Sequence, residues 1–467
     1  MKVFEIKTSK IEGLTRLDPE YYKPEYLELV EKVRALVPKK VSDVFRIELG
    51  PAYSSRKIGV KHGIKVAKIG DVTNKRKVED WALLDEIEFK KYGCRSIKQN
   101  EILITLTGDP PDVGKTFMPA PFCSTSQLPI AFNQRVAKLQ SKSVSPYYLY
   151  AFLSSEYFRI RFEQVALGIR QRNVSVPDLL NAFVYVPDDI NVIQEISEIV
   201  KRHFELANEY EDLYGEANDL LSHSLAFEDI KFSTEKTFVS SFSNVVVSHR
   251  LDAQHYKVKY NQLFDHLNTR FKCVRIGDIE TLNRRGIQPA YYKDGEIDIV
   301  NSEHIGETHL DYEKLAKTTT AFFQKHPEAH IRYNDVLIYT TGAFVGRTSV
   351  YLKDQPAFAS NHVNVLRLKV DLDPSYLALL LNSIVGKFQT EKYQRGSAQA
   401  ELYPHDIAKF TIPLIDKKIM AEIGDKVRKS LLAKEQSKAL YEKAKLLVEK
   451  IIDQSKRNIN KQMVKQV

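Results

Sequence analysis

The chain repeats itself. Arg16-Leu17-Asp18-Pro19-Glu20-Tyr21-Tyr22-Lys23 returns as Arg250-Leu251-Asp252-Ala253-Gln254-His255-Tyr256-Lys257, and seven of fifteen positions agree between residues 16–30 and 250–264. The offset of 234 holds again at Asn100-Glu101-Ile102-Leu103-Ile104 against Asn334-Asp335-Val336-Leu337-Ile338, and at Gly108 against Gly342. Late in each copy the offset shortens to 228: Pro146 matches Pro374, Tyr148 matches Tyr376, Leu149 matches Leu377, Gly168 matches Gly396 and Gln171 matches Gln399. This is a tandem duplication. It requires two similar units, and two similar surfaces suit a ligand with two parts. It also lets each candidate motif be tested against its twin.

The 467 residues exceed one ordinary domain, and 43% hydrophobic content with 24 Tyr and 23 Phe is enough for real cores. A net charge of +9 favours a polyanionic partner, since Lys and Arg that neutralise phosphates release counterions. The plainer reading of that charge is a soluble basic protein. Cys94, Cys123 and Cys273 form no CxxC and are odd in number, so a reducing compartment is expected and a disulfide framework is not. No apolar run approaches 18 residues, and Met1–Lys7 lacks the apolar core of a signal peptide. The expectation is a soluble, cytoplasmic protein with no membrane partner.

The pattern along the chain is globule, long helix, globule, long helix. Residues 1–187 read as a mixed α/β unit. It opens with a helix over 18–36 and has strands at Lys65–Val72, Glu101–Leu106 and Arg135–Leu139, then a helix from Pro146. Residues 188–225 hold a helix over 190–222, because Ile193, Ile196, Val200, His203, Ala207, Tyr210, Tyr214, Ala217 and Leu221 keep a 3-4 spacing. Such a helix is roughly 50 Å long at about 1.5 Å per residue. A bridge, 226–249, leads into the second unit, 250–414. A second helix within 415–455 carries Met420, Ile423, Val427, Leu431, Leu440, Leu447 and Ile451, with a phase slip in the middle, and 456–467 is a basic tail. The expected fold is α+β: two similar mixed α/β domains joined by two long helices in an antiparallel coiled coil, with a pseudo-two-fold internal repeat. The alternative packs each helix only on its own globule.

Several enzyme-like motifs fail against their twins. Gly108–Thr116 suggests a phosphate loop, but it has five residues between glycines where four are needed, and two are prolines without an N–H. Its twin, Gly342-Ala343-Phe344-Val345-Gly346-Arg347-Thr348, has three. The shared feature is Thr-Gly, then Val-Gly and a base, which reads as a turn into a hairpin that offers Lys115 and Arg347 to a phosphate backbone. Asp109-Pro110-Pro111 resembles an amino-methyltransferase loop, but Asp112 stands where an aromatic ring should, and no glycine-rich cofactor loop occurs. His326-Pro327-Glu328-Ala329-His330 reads as a solvated loop rather than a metal site. No catalytic or metal-ligating residue is assigned.

What remains are loops with basic, amide and aromatic side chains in both copies. Tyr53, Ser54, Ser55, Arg56 and Lys57 follow Pro51-Ala52, and Tyr291 and Tyr292 follow Pro289-Ala290, with Arg284, Arg285 and Gln288 just ahead. Arg170, Gln171, Arg172 and Asn173 after Gly168 correspond to the segment holding Gln399 after Gly396. Arg can read guanine and Asn or Gln adenine in the major groove, while Tyr and Ser contact phosphate or sugar. The plainer reading is ordinary polar loops. Lys75-Arg76-Lys77 and Lys90-Lys91 read as solvated or phosphate-facing.

In this order, twice over, these features resemble the specificity subunit of type I restriction-modification systems. The resemblance rests on the duplicated RLDxxYYK-like segment, the strand with Thr-Gly and Val-Gly-Lys/Arg, Asp373-Pro374-Ser375-Tyr376-Leu377, the Gly-Ser-x-Gln-x-x-Leu of 396–402, and the long helix after each globule. It implies two target-recognition domains, each binding half of a split double-stranded DNA site, with the coiled coil as spacer. It further implies docking of two modification subunits that carry adenine methyltransferase chemistry, joined by restriction (translocase) subunits. The chain itself would be non-catalytic and without cofactor, with S-adenosylmethionine, ATP and Mg belonging to the partners. A methylation-only or other defence system would use the same kind of subunit. A protein scaffold, or a cryptic nucleotide site at Gly108–Thr116, are the readings from other classes.

Overall fold

The computed structural model describes residues 19–36, 38–74, 78–109, 112–119, 129–166, 168, 171–235, 237–313, 315–369, 372–396 and 399–465, with side chains described as far as Ser455. Arg16–Asp18, Lys75-Arg76-Lys77, Pro110-Pro111, Cys123, Arg170 and Ser397-Ala398 lie outside the described residues. The chain forms two units, Met1–Asn208 with Lys434–Val467, and Glu209–Ala433. Each therefore takes in a stretch of both long helices.

The duplicated opening motif is a structural anchor. Pro19–Tyr22 is one 3-10 turn, Lys23 is extended (ψ 132°), and the helix proper is Pro24–Arg34. The expected helix over 18–36 is broken because a residue before proline is pushed out of the helical region. The second copy breaks at the same place without a proline: a turn at Ala253–Tyr256, Lys257 at ψ 134°, then a helix over Val258–Arg270. There Asp252 accepts the His255 N–H at 3.1 Å and the Arg250 Nε at 2.7 Å. Arg250 also donates to the Tyr393 and Gln394 carbonyls, both at 2.8 Å. A cation at the last carbonyls of the helix Ile384–Tyr393 satisfies acceptors that no longer have an intrahelical donor.

Each unit is built on a four-stranded antiparallel sheet of the same order. In the first, β1 (Phe45–Leu49), β2 (Ile102–Thr105), β3 (Thr116–Phe117) and β4 (Val136–Ser141) are arranged β1-β4-β2-β3. In the second, β5 (Glu280–Arg285), β6 (Val336–Tyr339), β7 (Thr348–Val350) and β8 (Val363–Leu368) are arranged β5-β8-β6-β7. The β2–β3 and β6–β7 hairpins are the expected turn motifs. Helices Pro146–Ser154 and Pro374–Asn382 bury Tyr148 and Tyr376 completely, and burying such a ring contributes about 2–3 kcal/mol. A second, smaller sheet completes each unit: Ile64–Ala67, Leu83–Leu84 and Ala131–Phe132 in the first, and four strands beginning with Ile297–Val300 in the second. The expected strand over Lys65–Val72 stops at Ala67. Asp71 accepts the Lys68 N–H at 2.9 Å and turns the chain into a short helix, Ile69–Thr73.

The long helices span Ile190–Ser224 and Lys417–Lys465, the latter running past the expected limit of 455. Within the first unit they run antiparallel: Tyr185 reaches Ser455 at 3.2 Å, and His203 Nδ1 meets Ser437 at 2.8 Å. Ile193, Ile196, Val200 and Phe204 share one core with Ala444, Val448 and Ile452. The second helix shows no phase slip. Its buried line passes through Ile423, Val427, Ser430, Ser437, Ala444 and Val448, while Leu432 and Leu446 are exposed. Small residues were hidden from a search for large apolar ones. They leave room for rings: His203 stacks on Tyr441 at 5.0 Å, and Tyr150 lies 5.7 Å from Tyr441.

Candidate nucleic-acid interface

Strand register brings the predicted loops to one end of each sheet. In the first unit Leu49 pairs with Ala137 and Thr105 with Val136, so β1 and β2 finish where β4 begins. The segment after Gly168 returns to the same end: Arg172 pairs with Gly108 and Asn173 with Thr107, and the Val174 N–H donates to the Leu106 carbonyl at 2.9 Å. Thr107 Oγ1 contacts Asn173 Oδ1 at 2.6 Å, and the Lys115 N–H donates to Thr105 Oγ1 at 3.0 Å. Lys115, Gln171, Arg172 and Asn173 are thus one cluster.

The second unit repeats this frame. Arg285 pairs with Asn364 and Tyr339 with Val363. Thr341 bridges to Glu401, the equivalent of Thr107 with Asn173, and the Leu402 N–H donates to the Thr340 carbonyl at 2.9 Å. Gly168 and Gly396 have φ of 117° and 89°. A Cβ on either would run into the carbonyl oxygen of Gln171 or Gln399 respectively, so only glycine turns this segment. Gly396, Gln399 and Arg347 belong to this cluster with Arg285.

The side chains on this common frame divide into tethered and free. Arg285 donates to the Leu402 carbonyl at 2.9 Å, lies 3.8 Å from Glu401 and covers the Tyr403 ring at 4.6 Å. Arg347 lies over the Phe344 ring at 3.8 Å, and Arg172 meets Glu20 at 3.2 Å. Asn173 is exposed but accepts from Thr107 at 2.6 Å, whereas Gln171, Arg284, Gln288 and Gln399 are exposed.

The Pro-Ala-Tyr loops point to the smaller sheets instead. Tyr53 is 6% exposed and packs edge-on against Tyr92 at 5.4 Å. Burial pushes its hydroxyl up to about 12 despite the Arg95 guanidinium, which acts the other way. The Ser54 N–H donates to Glu88 at 3.1 Å, and Lys57 lies 3.6 Å from Asp85, with Ser55 and Arg56 exposed on the same turn. Tyr291 is 53% exposed and donates to Asn301 at 3.2 Å, while the Tyr292 N–H donates to the Lys317 carbonyl. The matching tripeptides are therefore not equivalent positions. Gly50 and Gly286, whose absent Cβ makes room for the same carbonyls of the incoming turn, are the equivalent pair, and the second copy has two more residues before its proline.

Sequence comparison missed that incoming turn. Asn133-Gln134-Arg135 precedes β4, and Ser360-Asn361-His362 precedes β8. In both, the strand's first N–H donates back three residues at 3.0 Å (Val136 to Asn133, Val363 to Ser360). The carbonyls of Arg135 and His362 accept from Leu106 and Thr340, both at 3.0 Å. Gln134, Arg135 and His362 are exposed. The offset here is 227, neither of the two that define the repeat, so alignment at those values slid past it.

His326 and His330 are not in a solvated loop. His326 Nδ1 contacts Glu328 at 3.2 Å in a 3-10 turn, and His330 stacks on Phe323 at 3.6 Å. No group of side chains suited to a metal occurs among the described residues, and no helix among them is long and apolar enough to cross a membrane. Cys94 and Cys273 are free thiols.

The family model described as "Type I restriction modification DNA specificity domain" matches residues 36–212 and 268–440. No curated protein matches the chain. Among solved structures, the S subunit of a type I restriction-modification system from M. genitalium is 12% identical with a TM-score of 0.46, over 90% of this chain and 95% of that one. The HsdS subunit from Thermoanaerobacter tengcongensis is 12% identical with a TM-score of 0.26, over 89% and 95%.

Proposed function

The chain belongs to the type I restriction-modification DNA specificity family, a family of DNA-recognition subunits, and on that premise we propose that each unit reads one half of a two-part duplex site. One observation carries this reading: the same sheet end, with the same main-chain hydrogen bonds, occurs in both units with different exposed side chains. A shared frame with divergent tips is what two half-sites of different sequence require. Arg56, Lys115, Gln171, Asn173, Arg284, Gln288, Tyr291, Tyr292 and Gln399 are the DNA-facing candidates, together with Ser54, Ser55 and Arg170. Arg172, Arg285 and Arg347 support the loops, and Tyr53 and Lys57 hold the first loop to its smaller sheet.

In this reading the subunit docks two modification subunits, which bring methyltransferase chemistry with S-adenosylmethionine, and restriction subunits, which use ATP and Mg. The paired helices set the gap between half-sites. Replacing residues 16–187 by those of a chain of different specificity changes one half of the methylated motif; a change in both halves, or in neither, rejects independent modules. Adding one heptad to each long helix, about 10 Å, widens the spacer by roughly three base pairs at 3.4 Å each. An unchanged spacer in a methylome rejects the ruler.

A further inference from the structure

We propose that the turn entering the central strand of each sheet, Asn133–Val136 in the first unit and Ser360–Val363 in the second, reads base edges: Gln134 and Arg135 in one half-site, Asn361 and His362 in the other. The inference rests on the DNA-recognition reading above and names residues within it.

Three observations carry it. First, main-chain hydrogen bonds hold the turn in both copies, with one side-chain bond added in each: Asn133 Oδ1 accepts the Arg135 N–H at 3.2 Å, and Thr340 Oγ1 donates to the His362 carbonyl at 2.9 Å. Its carbonyls accept from Val136 and Leu106, or Val363 and Thr340, and its first residue donates to Ala67 or Val300. The backbone is therefore fixed while positions two and three of the turn remain free of any folding role. Second, those positions stand where β4 and β8 begin, beside the ends of β1, β2, β5 and β6, from which the other candidate loops leave. Third, the head groups are available. No hydrogen bond or ion pair holds the Gln134 amide or the Arg135 guanidinium among the described residues, and the only partner of the exposed His362 ring there is its neighbour Asn361, at 3.4 Å. Arg172, Arg285 and Arg347 are all engaged, by contrast.

The residue types fit groove readout. An arginine fork matches guanine O6 and N7, the amides of Gln and Asn match adenine N6 and N7, and an imidazole N–H donates to a purine acceptor. A rigid backbone limits the ordering cost on binding, which a mobile loop would incur. Gln-Arg against Asn-His also gives the two units different preferences on one scaffold.

The test uses the full chain assembled with its modification subunit, in cells without other adenine methylation, with the methylated motif read by single-molecule sequencing. Arg135→Ala, and Gln134→Ala with Arg135→Ala, relax one or two positions of one half-site, with discrimination there falling about 5- to 150-fold, and leave the other half intact. Asn361→Ala with His362→Ala do the same in the other half only. Arg135→Lys keeps the charge, loses the fork, and relaxes the same position. Unchanged stringency in all four variants overturns the proposal. So does equal loss of affinity for every duplex in a panel of single-base variants, measured on the purified complex, since that is a phosphate contact or a folding defect. A parent chain that yields no two-part motif rejects the underlying reading instead.

Discussion

Tyr53 and Tyr291 end the same tripeptide, yet one is 6% exposed and the other 53%. Gln171 and Gln399 also match, and both stand exposed after a left-handed glycine that meets their own carbonyl. The two units thus agree where main-chain hydrogen bonds and strand register fix the path. They part where a loop leaves the main sheet and packs on the smaller one. Equivalence between copies follows the backbone, and short identical strings can mislead.

Buried ion pairs test the comparison most strongly. Asp335 is 1% exposed and takes both its bonds from Arg367 at 2.7 Å, while also accepting the Arg332 N–H. Its equivalent, Glu101, shares Lys138 with Glu48, which sits closer, at 2.7 Å against 3.4 Å. Asp335→Ala is expected to cost about 3 kcal/mol, since it strands a partly buried guanidinium. Glu101→Ala costs less because Lys138 keeps a partner. Denaturant unfolding that ranks them the other way breaks the picture of one frame with unequal polar support.

Next come the two glycines. Gly168→Ala and Gly396→Ala should each cost about 1–3 kcal/mol, from φ strain and a carbonyl clash. The loss should show as faster hydrogen exchange at the Val174 and Leu402 amides. An effect in one copy alone would show that the segments differ despite their shared geometry.

Arginines sharpen the division between tethered and free. Arg285→Ala removes a bond to a main-chain carbonyl and a ring contact, for about 1–2 kcal/mol. Arg135→Ala and Arg56→Ala should change stability by less than about 0.5 kcal/mol. Comparable melting losses for all three would erase the distinction.

The smallest effect is with pH and belongs to the second unit. Burial holds the His255 and His304 rings below the usual histidine range, which favours their neutral form in the folded chain. The unfolded chain takes up those protons near pH 6.5. Their contribution is therefore complete above about pH 6.5 and is lost as pH falls through that value toward the lowered folded values. His255→Gln and His304→Gln should flatten the fall in melting temperature between pH 7 and 5. An unaltered slope assigns it elsewhere.

Much of this was legible in the sequence. The period of 234 carried one strand of each main sheet, β2 and β6, and the 3-4 spacing carried the first long helix, because apolar patterning is a direct imprint of burial. Three things were not. The buried line of the second helix uses Ser430, Ser437 and Ala444, which carry no hydrophobic signal. The break at Lys257 has no proline to announce it. The turns at 133–136 and 360–363 are held mainly by hydrogen bonds between main-chain atoms, which any residue type supplies. Arginines posed a further difficulty: composition does not reveal whether a guanidinium is already spoken for, as it is in Arg285, or idle, as in Arg135.

Those turns also bear on how such a protein changes over generations. Codons 134, 135, 361 and 362 specify side chains on which folding does not depend, so mutations there escape the usual purge of destabilised variants. A lineage can drift through new preferences at these four positions, one half at a time, while the rest of the gene stays under constraint.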